Sequence, residues 1–220
     1  MSNRAPTELP RLVDVGLIPA LNLLTALVIS GIVIWILGED PFEAMGLMVS
    51  GAFELLCTQY PADTFIFMGD SAGGGLALAF AQKLVNEEHH KLPVQLILLS
   101  PWLDLSLSNT DIKNLEHSDH ILTVEMLRHA AKSYSGGDDP DHYLLSPING
   151  ELADLPPTIV FYGSEELFAA DCRKFRSMIE NINHTSIFRE YPGMPHDWAL
   201  FPFPESDRTV DEICAFIDNK

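Results

Sequence analysis

The chain has 220 residues, of which 47% are hydrophobic and 20% charged, a composition that excludes a disordered chain and suits one domain with a substantial core. Thirteen basic against 31 acidic residues give a formal charge of −18, which repels phosphate backbones and anionic lipid, so nucleic acid is excluded as the expected partner. The three cysteines, Cys57, Cys172 and Cys214, are too few and too scattered for a disulfide framework or a cysteine zinc site, and fit a reducing, cytoplasmic setting.

Residues 15–38 contain no charged side chain and are long enough to cross a bilayer. Pro19, Asn22, Ser30 and Gly31 interrupt the run. The expectation is a buried helix followed by a strand over residues 27–37, with a membrane anchor as the alternative. Residues 1–40 are therefore set apart as a divergent apolar segment, and residues 41–220 as the folded domain.

From residue 41 the pattern alternates. Residues 41–60 predict a helix started by Pro41, with Phe42, Met45, Met48, Val49, Phe53 and Leu56 on one face. A strand is expected at 64–68, a helix at 72–86 and a strand at 94–99. Residues 100–122 read as loop, and 123–134 as a helix capped by Thr123. Glycines and prolines mark 135–157 as loop. A strand at 158–162, an amphipathic helix at 167–180 and a strand at 186–191 follow. Ser206 is expected to cap a last helix that buries Val210, Ile213, Cys214 and Ile217. Strands separated by helices predict a mostly parallel sheet with helices on both faces, and chemistry at the carboxyl ends of the strands.

Gly69-Asp70-Ser71-Ala72-Gly73 stands at such an end, between a predicted strand and a predicted helix. This is the context of a nucleophile elbow, where small neighbours allow a sharp turn and the serine hydroxyl rises above the sheet beside a helix N-terminus. Ala72 N–H is the expected oxyanion donor. A phosphate-binding turn is the competing reading, but neither G-x-G-x-x-G nor G-K-[ST] is present.

A serine nucleophile needs a base, and the base needs an orienting acid. His196 follows the strand at 186–191, whereas His184 precedes it, at the wrong edge. His117 and His120 flank Asp119 without a third ligand at metal-binding spacing, so they read as a solvated loop. His89 and His90 close a helix. For the acid, the turn after residue 162 offers Glu166 first, with Glu165 and Asp171 behind it. Acids that complement a helix dipole are the other reading of this group.

These segments, together with Ser100-Pro101-Trp102-Leu103-Asp104, Leu145-Ser146-Pro147, Leu155-Pro156-Pro157 and Gly193-Met194-Pro195-His196, resemble the hormone-sensitive-lipase-like α/β-hydrolases, and most of all their bacterial acetyl-esterase-type members. The resemblance runs from about residue 41 to the C-terminus. It implies the α/β-hydrolase fold and hydrolysis of small carboxylic esters, usually of short acyl chains, with no metal or other cofactor. By position, Ser71 matches the nucleophile, His196 the base, and Glu166 an acid that is more often Asp.

The family also carries a His-Gly-Gly-type loop upstream of its serine, which supplies further oxyanion donors. No histidine precedes residue 89 here, and only 70 residues precede Ser71. The expectation is therefore an N-terminally truncated or replaced α/β-hydrolase of weak activity, with Gly31 or Gly38 as the places where a substitute donor could arise. A catalytically impaired chain that persists as a binding protein is the alternative.

Overall fold

The structure is a computed structural model that describes residues 41–182 and 184–218. The chain divides between Pro61 and Ala62 into two units. The described part of the first is one helix, α1 (Pro41–Gln59). Over residues 49–59 its buried positions are Phe53 and Cys57, one turn apart, while Leu56 is exposed. The expected stripe through Leu56 is thus displaced by one residue at its C-terminal end. The apolar run at 15–38 and the strand expected at 27–37 lie outside the described residues. Among the described residues, no helix is long and apolar enough to cross a membrane.

The second unit runs β1 (Ile66–Asp70), α2 (Ser71–Asn86), β2 (Gln95–Leu99), α3 (Ile112–Leu115), α4 (Val124–Ser135), β3 (Thr158–Gly163), α5 (Ala169–Asn181), β4 (Ser186–Tyr191) and α6 (Pro204–Asp218). Short 3₁₀ turns lie at Pro147–Asn149 and Trp198–Leu200. The strands form one parallel sheet in the order β1-β2-β3-β4. Helical crossovers between neighbouring parallel strands bury both faces, and every residue of β2 and β3 is buried.

The two faces follow strand alternation. Leu96, Leu98, Val160 and Tyr162 pack with Leu78 and Ala81 of α2 and with Cys172, Phe175 and Ile179 of α5. Ile97, Leu99, Ile159 and Phe161 pack on the other face with Trp198 and with Ile213, Phe216 and Ile217 of α6. Each such large apolar side chain contributes about 1.5–3 kcal/mol when fully buried. A third cluster joins Ile112 of α3, Val124 and Leu127 of α4, and Leu122 to Leu167 and Phe168. It fixes the turn between β3 and α5.

Register aligns the strand ends. Asp70 lies opposite Leu99, Leu99 opposite Phe161, and Gly163 opposite Tyr191. The segments that begin with Ser71, Ser100, Ser164 and Pro192 therefore leave the sheet from one edge.

Several expected boundaries shift. β1 starts at Ile66 and extends to Asp70, because pairing begins at Ile66 opposite Gln95. The loop at 100–122 contains the single-turn helix α3. α4 is capped as expected, with Thr123 Oγ1 accepting from Met126 N–H at 3.2 Å. α6 begins at Pro204, so Ser206 lies inside its first turn. Its hydroxyl donates to the carbonyls of Trp198 at 2.9 Å and Phe201 at 2.7 Å, rather than accepting as a cap. Ile213 and Ile217 pack on the core as expected, whereas Val210 and Cys214 are exposed and Thr209 is buried, so the buried stripe runs along the other flank of the two isoleucines.

Candidate active site

Ser71 sits where β1 turns into α2, with φ of 52°. For a residue with a side chain this left-handed conformation costs on the order of 1–3 kcal/mol and persists only where the surroundings enforce it. Here they do. A Cβ on Gly69 would lie 2.3 Å from Gly73 O, and one on Gly74 would lie 2.8 Å from Pro101 Cβ, so the chain crosses itself too closely for side chains. Trp102 N–H donates to Ser71 O at 2.8 Å, tying the turn to the segment after β2. The result is a half-buried serine at the first turn of α2, next to exposed Ala72 and Gly73. The N–H groups of a helix's first turn have no intrahelical acceptor and face whatever lies beyond the end.

His196 arrives from the loop after β4. Gly193, with φ of 74°, makes the turn, and its N–H donates to Ser164 Oγ at 2.8 Å. Glu165 N–H donates to Met194 O at 3.2 Å, so the loop carrying the histidine is pinned to the loop after β3. The imidazole is buried, with the ring of Phe168 set edge-on at 5.0 Å.

The structure brings together three of the residues singled out from the sequence. His196 Nε2 lies 2.9 Å from Ser71 Oγ, and Nδ1 lies 2.7 Å from Glu166 Oε2. Glu166 is fully buried, and its Oε1 accepts from Gly163 N–H at 2.9 Å. Burial pushes the Glu166 carboxyl up, opposed by His196, by Gly163 N–H and by the Ser100 hydroxyl. Burial also opposes a charge on His196, but hydrogen bonds and charge from Asp197 and Glu166 outweigh it and raise the imidazole to about 9. A hydroxyl within hydrogen-bond distance of an imidazole can surrender its proton as it attacks, and a carboxylate on the far nitrogen orients the ring and stabilises the cation.

The other candidates stand elsewhere. Glu165 is exposed. Asp171 is fully buried on α5, where Asn109 Nδ2 donates to its Oδ1 at 2.9 Å. His184 faces Ser186 Oγ at 2.8 Å and Leu155 O at 2.6 Å, away from the strand ends. His117 and His120 are exposed, and no group of three or more metal-ligating side chains occurs among the described residues. Asp119 between them is buried and accepts from the N–H groups of Ile121, Leu122 and Leu167 at 2.8–2.9 Å. His89 and His90 lie just beyond the end of α2, where their rings meet at 4.3 Å with a tilt of 36°.

Three contributors were not singled out from the sequence. Asp119 anchors Leu167 beside Glu166. Ser100, with φ of 43°, accepts from Asp197 N–H at 3.2 Å. Asp197 brings Oδ2 to 3.1 Å from His196 Nε2. The only signal for Asp197 was its adjacency to His196.

Residues 39–200 match the α/β hydrolase fold family. An acetyl-hydrolase of Streptomyces hygroscopicus is 33% identical over 182 residues, covering 81% of this chain and 60% of that protein. An esterase of Acinetobacter venetianus is 34% identical, with the same coverage of 81% and 60%. A hormone-sensitive lipase from a metagenome library superposes with a TM-score of 0.69 at 33% identity, covering 74% of this chain and 55% of that one. The chain spans about 60% of the length of the curated relatives it matches.

Proposed function

The chain belongs to the α/β-hydrolase fold family and is similar to hormone-sensitive-lipase-like members, and from that premise we propose that it is a serine hydrolase that cleaves small carboxylic esters. Ser71 is the nucleophile, His196 the base and Glu166 the orienting acid. The observation that carries this reading is the run of two contacts, Ser71 Oγ to Nε2 at 2.9 Å and Nδ1 to Glu166 Oε2 at 2.7 Å, at the edge where the strands end.

In the proposed reaction Ser71 Oγ attacks the ester carbonyl carbon while its proton passes to Nε2. The carbonyl oxygen becomes an oxyanion, met by Ala72 N–H and the positive end of α2. As the intermediate collapses, Nε2–H protonates the departing alcohol oxygen and leaves an acyl group on Ser71. Water, deprotonated by the same nitrogen, then releases the acid. Preference for a short acyl group is supported by likeness to a protein named an acetyl-hydrolase.

The test is hydrolysis of p-nitrophenyl esters of increasing acyl length by the purified chain and by Ser71→Ala. Loss of Ser71 is expected to lower turnover by as much as about 10⁶-fold, down to whatever binding and the oxyanion site provide alone. Turnover by Ser71→Ala equal to the parent's would overturn the assignment. Absence of both turnover and covalent labelling of Ser71 in the parent would favour a binding protein.

A further inference from the structure

Asp197 adopts φ of 52°, a conformation that Asp tolerates better than most residues with a side chain. Its N–H donates to Ser100 Oγ, and the turn folds its carboxylate back over the preceding residue. Oδ2 then lies 3.1 Å from His196 Nε2, the same nitrogen that faces Ser71 Oγ at 2.9 Å. Oδ1 is buried and has no hydrogen-bond partner among the described residues. The two side chains are only 5% and 18% exposed, so water screens their interaction little.

The chemistry of Nε2 decides what this contact means. An unprotonated Nε2 presents a lone pair, which a carboxylate oxygen repels. The contact is attractive only when Nε2 carries a proton. With Nδ1 turned to Glu166, the ring is then a cation held between two carboxylates. Among the described residues the groups facing His196 are Glu166 from the turn after β3, Asp197 from its own loop, Ser71 from the start of α2, and the ring of Phe168, which carries no charge.

We infer that Asp197 is a positioning carboxylate that holds a proton on His196 Nε2 in competition with Ser71, and so sets a high acidic limit on the hydrolase. The inference rests on the reading of Ser71 as nucleophile and His196 as base. Before a cycle begins, Nε2 must release its proton to solvent. It then receives the Ser71 proton as the Oγ–C bond forms, and passes that proton to the alcohol oxygen as the ester C–O bond breaks. Asp197 favours the protonated ring at both stages. It stabilises the cation formed during attack, and it lengthens the time the resting ring stays charged and unable to accept. The raised imidazole has the sign this requires. Reactivity of Ser71 should therefore climb with pH into the alkaline range.

Two variants of the full chain test this. Asp197→Asn keeps the shape and tolerates the backbone conformation, and Asp197→Gly suits that conformation while removing the contact altogether. The His196 imidazole is titrated by NMR, its signal identified by loss in His196→Gln. In parallel, labelling of Ser71 by a fluorophosphonate is timed across the same pH range. Both variants should titrate lower by about one pH unit or more. At a pH about one unit below the parent's midpoint they should label several-fold to about tenfold faster. An unchanged midpoint in either variant overturns the inference. A shifted midpoint in chains that the fluorophosphonate never labels upholds the contact and removes the hydrolase reading. Ordinary labelling with an unshifted midpoint does the reverse.

Discussion

Gly163 N–H donates to Glu166 Oε1 at 2.9 Å across the turn that ends β3. The carboxylate is thereby rotated so that Oε2 faces His196 Nδ1 at 2.7 Å. Gly163 also comes so close to the histidine loop that a Cβ there would lie 2.0 Å from Met194 O. One backbone position thus aims the acid and seats the loop that carries the base.

The first prediction concerns that acid. Glu166→Gln keeps the shape but puts an amide where His196 Nδ1 and Gly163 N–H both need an acceptor. The wrong tautomer or a rotated ring follows, and kcat should fall by up to about 10⁴-fold. Glu165→Gln, at an exposed site, and Asp171→Asn, which faces Asn109, should cost far less. Steady-state rates on a short acyl ester check the order, and a larger loss in either of the latter two would move the acid away from Glu166.

The second prediction follows from the close approach at Gly163. Gly163→Ala forces the backbone at Met194 to move, and His196 is two residues further on. Overpacking of this kind costs about 1–3 kcal/mol. A lower urea midpoint should therefore accompany a loss of kcat exceeding any change in KM. Full activity in a destabilised protein would show that the loop yields without moving the imidazole.

Asp119 supplies the third. It holds three backbone N–H groups, including that of Leu167 next to Glu166. Asp119→Ala leaves buried donors at Leu122 and Leu167 without an acceptor, at about 1–3 kcal/mol for each. Denaturant titration should show this loss, and slower labelling of Ser71 should accompany it. His117→Ala and His120→Ala, at exposed positions on either side, are expected to be neutral in both assays.

Much of this arrangement was legible in the sequence because chain order and sheet topology act together. Parallel strands joined by helices place all strand exits on one edge, so a serine, an acid and a histidine that each follow a strand must come near one another. Asp197 was hidden because consecutive side chains ordinarily diverge, and only its positive φ folds the carboxylate back onto His196 Nε2. Asp119 was obscured by its two histidine neighbours, which draw attention to metals, while the contact that bears on the site is to backbone 48 residues away at Leu167. Ile213 and Ile217 of α6 face the core as the apolar spacing predicts, but the stripe continues through Ser206, Thr209 and Phe216 rather than through Val210 and Cys214, and two small polar residues on that flank hid it.

The fourth prediction concerns Asp171, the carboxyl that the site leaves aside. Burial raises it from an ordinary 3.8 to about 6; Asn109 opposes the shift, and the nearby negative charge of Asp104 adds to it. Its Oδ2 is buried without a hydrogen-bond partner among the described residues. A carboxyl raised by folding is at no disadvantage while it is protonated in both states, below about pH 4. Stability is then lost as pH rises through about 6, because the folded chain must ionise a group that the unfolded chain ionises freely. The full penalty above that point is on the order of 3 kcal/mol, from about two pH units at about 1.4 kcal/mol each. Asp171→Asn removes the charge, retains an oxygen for Asn109 Nδ2 and carries no ionisation penalty at any pH. Relative to the parent, it should melt at a similar temperature near pH 4 and at a clearly higher one near pH 8. Thermal unfolding at the two pH values measures the difference directly. A variant less stable than the parent at the higher pH would mean that the Asn109 hydrogen bond and the charge of Lys174 favour the ionised Asp171 by more than burial opposes it.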